Sequence, residues 1–250
     1  MRRLVLGLET GGEHLSAALL EVVPPTTRLL TESVVHRGRG HADRALSLVS
    51  EVLARADVTA AELSLIGVGR GPGGFTGVRL GLSIAQGLSL ASGVPVWPVS
   101  SLAALANNAV SDRLPVLALI DAKKGEVYAG LFRLVPGAPP VTLLAPRVGT
   151  CEAALAAARD AVRAAAAREA AGLEDIVVLG SGALAYGVAS PLPATAHVAT
   201  ASRTAELALL EWARAGFDRS GAPAVDPAYL RRSEAEIMAD AKDSGRAEAG

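Results

Sequence analysis

The order of apolar segments is the feature that most constrains the fold of this chain, because the same order occurs twice. The first half predicts three short strands, an amphipathic helix, a buried strand and a second helix, at residues 4–8, 15–22, 28–35, 42–56, 65–69 and 76–91. The second half predicts the same succession at residues 116–121, 126–134, 141–144, 152–170 and 176–179, followed by another glycine turn. A repeat of this kind indicates duplicated α/β lobes that face each other across a cleft.

The segments outside the repeat suggest where the lobes begin and end. A strand at 94–99 and a helix at 101–109 lie between the halves, and a last helix is predicted at 203–215. We predict a first lobe at residues 1–100 and a second lobe at residues 101–217. Residues 218–250 are expected to form an extended tail that frays after about residue 238, where the side chains become polar and small.

The charge balance and the rare residue types exclude several classes of protein. Lys and Arg number 24 and Asp and Glu number 25, and a formal charge of -1 argues against a chain that binds nucleic-acid phosphates over a broad face by itself. Two Trp, three Tyr and three Phe residues offer few platforms for stacked bases. The single cysteine, Cys151, excludes an internal disulfide and fits a reducing compartment.

The N-terminal apolar run stops at Glu9, which makes it about half as long as the core of a signal peptide. The long apolar stretch at 75–94 contains Arg79 and Gln86, which argue against a membrane span. We therefore expect a soluble, cytoplasmic protein with no membrane contact.

A glycine-rich loop connects the strand at 65–69 to the next helix. Gly69, Gly71 and Gly74 match the pattern G-x-G-x-x-G, and backbone N–H groups at a helix N-terminus favour anions. The loop follows antiparallel strands, however, and contains no Gly-Lys-Ser/Thr. Phosphate binding and a tight turn for close packing therefore remain alternatives. The candidate nucleotide ligands are Thr10, Gly11, Gly71, Gly73 and Gly74.

The helix at 76–91 is apolar on nearly every side. Small residues recur every four positions, at Gly77, Gly81, Ala85 and Ser89, beside a ridge of Leu80, Ile84 and Leu88. A ridge of small residues lets another element approach closely. A helix that is apolar on nearly every side must be covered by other elements on more than one side. The sheet can cover one side, and a second helix of this chain or a partner protein can cover another.

Side chains that could perform catalysis are scarce. The four histidines form no metal-binding pattern, Cys151 has no neighbouring histidine, and no serine lies in G-x-S-x-G. Ser181, within a Gly-Ser-Gly turn, is more typical of a structural turn than of a phosphate site. Two hairpins, one after Glu9 and one at 121–126, occupy equivalent places in the repeats and could flank the cleft. We predict no catalytic residue and no metal site.

Four segments, at 4–20, 67–106, 118–132 and 227–232, resemble the TsaB (YeaZ) family. The most specific of them contains GPGGFTGVRLGL followed by VSSLAALA. The resemblance implies the duplicated, ribonuclease H-like fold of actin, sugar kinases and heat-shock ATPases, in two lobes. It also implies that this chain is a degenerate paralogue of TsaD. As such it would be a non-catalytic subunit of a tRNA threonylcarbamoyltransferase complex. That complex forms N6-threonylcarbamoyladenosine next to the anticodon of tRNAs that read ANN codons.

The resemblance further implies partners and a pairing surface. TsaD would form a heterodimer with this chain and hold the metal, TsaE would dock on the pair, and tRNA would be bound only through the complex. Carried over by position, the partner-binding residues are Leu46, Val49, Leu53, Gly77, Leu80, Gly81, Ile84, Ala85 and Leu88. ATP or ADP at the complex interface, and a homodimer in the absence of TsaD, remain alternatives.

The sequence departs from the family pattern at the end of the first strand. Similar chains usually have Asp-Thr there, whereas this chain has Glu9-Thr10, and the longer carboxylate favours a degenerate nucleotide site. Gly74 follows the Gly-Pro-Gly segment, at a position where similar chains usually have serine. The alternative functions are a small-molecule kinase or ATPase of the same fold and a glycoprotease-like peptidase. The missing metal motif and nucleophile disfavour the peptidase.

Overall fold

The computed structural model describes residues 2–36, 41–109, 114–169, 175–218 and 222–230. The predicted strands and helices are present in the predicted order, with ends that differ by a few residues at most places. The predictions for the tail beyond residue 230 fall outside the described residues.

The first sheet has five strands in the order β3-β2-β1-β4-β5. They are β1 (Arg3–Glu9), β2 (His14–Val23), β3 (Thr26–His36), β4 (Leu65–Gly69) and β5 (Val96–Val99). β1, β2 and β3 are antiparallel neighbours, whereas β4 and β5 run parallel to β1. Parallel neighbours need a crossover, and the helices α1 (His41–Arg55) and α2 (Phe75–Ser92) provide these connections.

The second sheet repeats this connectivity with four strands in the order β8-β7-β6-β9. They are β6 (Val116–Lys123), β7 (Glu126–Val135), β8 (Ala138–Thr150) and β9 (Val177–Leu179), with α3 (Ser101–Ala106) before them, α4 (Cys151–Glu169) before β9 and α5 (Ser181–Ala185) after it. The two sheets and their crossover helices form the predicted duplicated actin-like fold.

Strand β8 differs most from its prediction. The residue pattern predicted a strand only at 141–144, whereas the structure has 13 residues in β8. β8 is an edge strand paired with β7 alone, so Pro139 and Pro140 can lie in it without interrupting a ladder on both sides. Pairing along the hairpin, rather than local propensity, determines its length.

The last helix, α6 (Ala201–Arg214), packs against the first sheet although it follows the second in sequence. Gly7 and Gly67 allow this close approach. A Cβ atom on Gly7 would lie 2.0 Å from the carbonyl oxygen of Ala201, and one on Gly67 would lie 2.7 Å from Cβ of Ala208. The predicted boundary near residue 100 therefore separates the two sheets, but α6 belongs with the first sheet by its packing.

None of the helices in the described ranges is long and apolar enough to cross a membrane.

The approach of α6 to the sheet gives a testable prediction. Gly7→Ala should lower the free energy of unfolding by about 2–3 kcal/mol, because the new methyl group meets backbone atoms of α6 that must shift. The midpoint and slope of urea denaturation measure this change.

Gly149→Ala is the matched control, because Gly149 lies in strand β8 and a Cβ atom there would meet nothing within 4 Å. Its free energy of unfolding should change by less than about 0.5 kcal/mol. Equal stability of the Gly7 and Gly149 variants would contradict the close packing of α6.

Candidate functional site

A buried carboxylate lies where the first sheet meets α3 and α6. Glu9, the last residue of β1, is 1% exposed. Its Oε1 atom accepts hydrogen bonds from the backbone N–H groups of Thr10 and Gly11, at 3.1 and 3.0 Å. Its Oε2 atom accepts hydrogen bonds from the hydroxyls of Ser101 and Thr204, at 2.9 and 3.3 Å. The carboxylate therefore joins β1, the turn after it, α3 and α6.

Gly69 makes room for this carboxylate. A Cβ atom on Gly69 would lie 2.0 Å from Oε2 of Glu9. A larger residue at the end of β4 would therefore displace the carboxylate from its donors.

Burial raises the pKa of Glu9 above its ordinary value of 4.5, because the charged form loses its hydration. The hydrogen bonds from Gly11, Ser101, Thr204 and Thr10 favour the charged form and oppose this rise. The pKa is raised on balance, so desolvation is the larger effect.

The β1–β2 turn and the glycine-rich loop bind each other directly. The N–H group of Gly74 donates to the carbonyl oxygen of Gly11 at 2.7 Å. The Thr10 hydroxyl donates to the carbonyl oxygen of Gly77 in α2 at 2.8 Å. A Cβ atom on Gly73 would lie 2.6 Å from the Gly11 oxygen, so only glycine fits there without a shift. Close packing therefore accounts for Gly73 of this loop.

These contacts bear on the candidate nucleotide ligands. The N–H groups of Thr10 and Gly11 donate to Glu9, and that of Gly74 donates to Gly11. Gly71 has a φ angle of 93°, and Gly73 contacts the Gly11 backbone, so both glycines are required by the backbone itself. These three N–H groups are thus used within the chain in this arrangement. Nucleotide binding at this turn stays a prediction.

A cleft of about 480 Å³ lies between the hairpins of the two sheets. Its lining includes Gly12 from the first hairpin and Asp121 from the second, together with Ser181 and the rings of Phe75 and Tyr229. The hydroxyl of Ser181 accepts a hydrogen bond from the N–H group of Asp121 at 3.1 Å, so it stabilises the hairpin. This contact fits the interpretation of the Gly-Ser-Gly turn as structural.

Lys123 links the two hairpins at the edge of the cleft. Its Nζ atom lies 2.8 Å from a carboxylate oxygen of Glu13 and 2.7 Å from one of Asp121. Hydrogen bonds to these two carboxylates raise the pKa of Lys123 above its usual value. The two hairpins that the sequence suggested as flanks of the cleft do face each other.

The predicted partner-binding residues divide into two groups in the structure. Five of them are buried inside this chain, namely Val49, Leu53, Gly77, Gly81 and Ala85. Leu80, Ile84 and Leu88 are half-buried, and Leu46 is 52% exposed. The five buried residues are therefore not available to a partner in this conformation, which corrects the expectation that they line a pairing surface.

The physical reason is that the small ridge of α2 packs on the chain's own sheet. A Cβ atom on Gly81 would lie 2.3 Å from the Thr10 hydroxyl oxygen and 3.5 Å from a methyl group of Val68. The close approach predicted for a partner helix is made instead by β4 and the turn after β1.

Leu90, near the C-terminal end of α2, is 91% exposed and was not among the predicted partner-binding residues. Val78, Leu82 and Leu90 recur at multiples of four residues, but the first two are buried. The position of Leu90 in the last turn of α2, which ends at Ser92, was the available signal. Leu46 and Leu90 are thus the most exposed leucines of α1 and α2.

Across the described residues, no group of three or more His, Cys, Asp or Glu side chains is placed to hold a metal ion. Cys151 is buried at the start of α4, and burial raises the pKa of its thiol.

The burial of Glu9 predicts a pH dependence. A carboxyl group whose pKa is raised on folding stabilises the protein fully below its unfolded value, near 4.5, and this contribution is lost as the pH rises through the folded value. The free energy of unfolding of the protein, relative to Glu9→Gln, should therefore fall as the pH is raised from about 4. Urea denaturation of both proteins across the pH range measures this difference.

Glu21→Gln is the control with the opposite sign. Hydrogen bonds from Arg2 and Arg28 lower the pKa of Glu21, so its contribution is present above 4.5 and is lost as the pH falls through the folded value. The difference in the free energy of unfolding between the protein and Glu9→Gln should therefore change with pH in the direction opposite to that for Glu21→Gln. A Glu9 difference that does not change with pH, or that changes in the same direction as the Glu21 difference, would contradict the buried-carboxyl interpretation.

Comparison with known proteins places this architecture in a family. A family model described as TsaD, tRNA N6-adenosine threonylcarbamoyltransferase, matches residues 33–138. The protein TsaB of Bacillus subtilis is 32% identical over 133 residues, which are 53% of this chain and 56% of that protein. TsaB of Escherichia coli is 42% identical over 92 residues, 36% of this chain and 40% of that protein. The chain thus spans about half the length of the curated relatives it matches.

Solved structures match over a greater length. YeaZ from Pseudomonas aeruginosa superimposes with a TM-score of 0.68 and 29% identity, over 91% of this chain and 100% of that one. A second structure, described as an uncharacterized protein with similarity to peptidase YeaZ from Pseudomonas aeruginosa, has a TM-score of 0.69 and 31% identity, over 92% of this chain and 100% of that one. The fold, the motifs around the glycine-rich loop and these similarities together show that the chain belongs to the TsaB/YeaZ family.

Proposed function

We propose that this chain takes part in the biosynthesis of threonylcarbamoyladenosine in tRNA, as the names of its TsaB relatives indicate. In this proposal it is a non-catalytic subunit that pairs with TsaD and activates it. TsaD holds the metal and the nucleotide of the reaction, TsaE docks on the pair, and tRNA is bound by the complex rather than by this chain alone.

One observation carries the pairing proposal. Leu90 is 91% exposed and Leu46 is 52% exposed, and they lie on the packed helices α2 and α1. The half-buried side chains of Leu80, Ile84 and Leu88 pack against the chain's own apolar cluster, on other faces of α2 than Leu90. Large apolar side chains that stay exposed on packed helices can be covered by another protein. We call Leu46 and Leu90 the helix surface.

The chemistry of the described residues supports a non-catalytic role. The N–H groups of Thr10 and Gly11 in the first turn donate to Glu9, and the hydroxyl of Ser181 supports a hairpin. A kinase or ATPase of this fold would need those donors for phosphate, so we favour the subunit over the enzyme.

The most direct experiment is reconstitution. TsaD and TsaE from the same organism are incubated with tRNA, threonine, bicarbonate, ATP and the enzyme that makes the threonylcarbamoyl donor, with and without this chain. We expect modified adenosine to form only when the chain is present. Equal formation without it would contradict the proposed activation of TsaD.

The helix surface gives a sharper prediction. Leu90→Asp and Leu46→Asp should each weaken TsaD binding by about tenfold or more, because an interface core rejects an unpaired charge. Binding is measured by isothermal titration calorimetry. Bulky substitutions at Gly81 or Ala85 are unsuitable here, since both residues lie in the chain's own core.

Leu184→Asp is the matched control, because Leu184 is a helical leucine that is 55% exposed on α5, outside the helix surface. It should bind TsaD as the unmodified chain does. Unchanged binding by both helix-surface variants would show that TsaD binds elsewhere or not at all.

A further inference from the structure

The described C-terminal segment, residues 222–230, crosses the glycine-rich loop and the start of α2. The N–H group of Ala228 donates to the carbonyl oxygen of Arg70 at 2.8 Å. Val225 packs against the apolar cluster that α1 and α2 form with the first sheet. We call residues 222–230 the strap.

Tyr229 is the strap residue with the most specific contacts. Its ring stacks on that of Phe75, with centroids 5.0 Å apart and planes inclined by 20°. Its hydroxyl accepts a hydrogen bond from Nε of Arg79. The Arg79 guanidinium in turn lies 3.8 Å from the centroid of the Phe75 ring. Tyr229 is thus bound by two residues of the first turns of α2.

The strap forms part of the wall of the cleft between the hairpins. Ala228, Tyr229 and Leu230 line it together with residues of both hairpins. If the strap left its place, this part of the wall would be removed. Access to the cleft therefore depends on where the strap lies.

The strap packs against two apolar clusters, through Ala222 and Val225, but it has fewer backbone hydrogen bonds to the rest of the chain than the strands have. Within the described residues, Ala228 makes the one backbone hydrogen bond that joins the strap to the rest of the chain. Tyr229 is 43% exposed and Phe75 is 37% exposed, so their stacking buries little apolar surface. Segments with few buried contacts and few backbone hydrogen bonds detach locally at a much lower free-energy cost than global unfolding.

We propose that the strap is a detachable cover of the cleft and that Tyr229 is the anchor that holds it closed. In the docked state the strap closes one part of the wall of the cleft, and in the undocked state that part is open. This device does not depend on the proposed pairing with TsaD, and its test uses the chain alone.

A thiol probe inside the cleft tests the proposal. Cys151 is the single cysteine of the chain and is buried, so Cys151→Ser provides a background without thiols. Ala122→Cys then places one thiol in the lining of the cleft. Its rate of reaction with dithiodipyridine, a neutral aromatic disulfide, reports how often the cleft is open. Val141→Cys in the same background, on β8 outside the cleft, gives the rate of an open thiol, since Val141 is 41% exposed.

The expected result is a graded increase in the reaction rate of the thiol introduced by Ala122→Cys. Tyr229→Ala removes the ring and the hydroxyl and should raise the rate about tenfold. This change corresponds to a closed state that is less stable, relative to the open state, by ~1.4 kcal/mol. Tyr229→Phe keeps the stacked ring and should raise it only about two- to threefold. Ala224→Ser, at an exposed strap position, should leave the rate unchanged.

Two outcomes would overturn the proposal. One is a rate that Tyr229→Ala changes by less than about twofold. The other is a rate with the intact strap that already equals that of Val141→Cys, since the cleft would then be permanently open. Circular dichroism checks that each variant is folded. If Tyr229→Ala does not fold, Arg79→Gln takes its place, because it removes the same hydrogen bond from the other side.

Discussion

Glu9 brings a carboxylate into the interior of the protein, and four donors from three separate parts of the chain converge on it. Burying this group is unfavourable because its charged form loses hydration, and the hydrogen bonds from the donors offset part of that cost. Two of the donors belong to the turn after β1, one to α3 and one to α6. The carboxylate therefore joins the last helix and the first helix after β5 to the first sheet.

The glycines around this centre are required by distance. Gly69 leaves space for the Glu9 carboxylate, Gly7 leaves space for α6, and Gly73 leaves space for the β1–β2 turn. The same turn passes against Gly81 in α2, where the Thr10 side chain occupies the space that a Cβ atom would need. A glycine-rich loop before a helix suggests a phosphate site when it is considered alone. In this structure the N–H group of Gly74 is bound by the carbonyl oxygen of Gly11 in the neighbouring turn.

The ridge of small residues on α2 packs on the sheet, so it is not part of the exposed surface of the helix. Leu46 and Leu90 remain the most exposed leucines of α1 and α2. At the other end of α2, Phe75 and Arg79 hold the strap, so one helix borders both the helix surface and the cleft. Lys123 joins the hairpins of the two sheets beside that cleft.

The order of the elements could be predicted from the sequence, because apolar periodicity and turn residues are local properties of the chain. Strand β4 was predicted at 65–69 and is found there, and α1 and α2 begin and end within one residue of their predictions. The TsaB/YeaZ family could also be recognised, since its most specific motif is one continuous segment. The length of β8 could not be predicted, because the pairing with β7 extends it.

Which face of α2 would be buried was likewise decided only by the tertiary structure. Both its small ridge and its leucine ridge could cover a sheet, and the choice depends on Thr10 and Val68, which other elements place beside Gly81. The same holds for the bond between Glu9 and Thr204, which are 195 residues apart, and for that between Arg79 and Tyr229, which are 150 apart. Local patterns specify which segments form, whereas contacts between distant residues depend on the distances at which those segments pack.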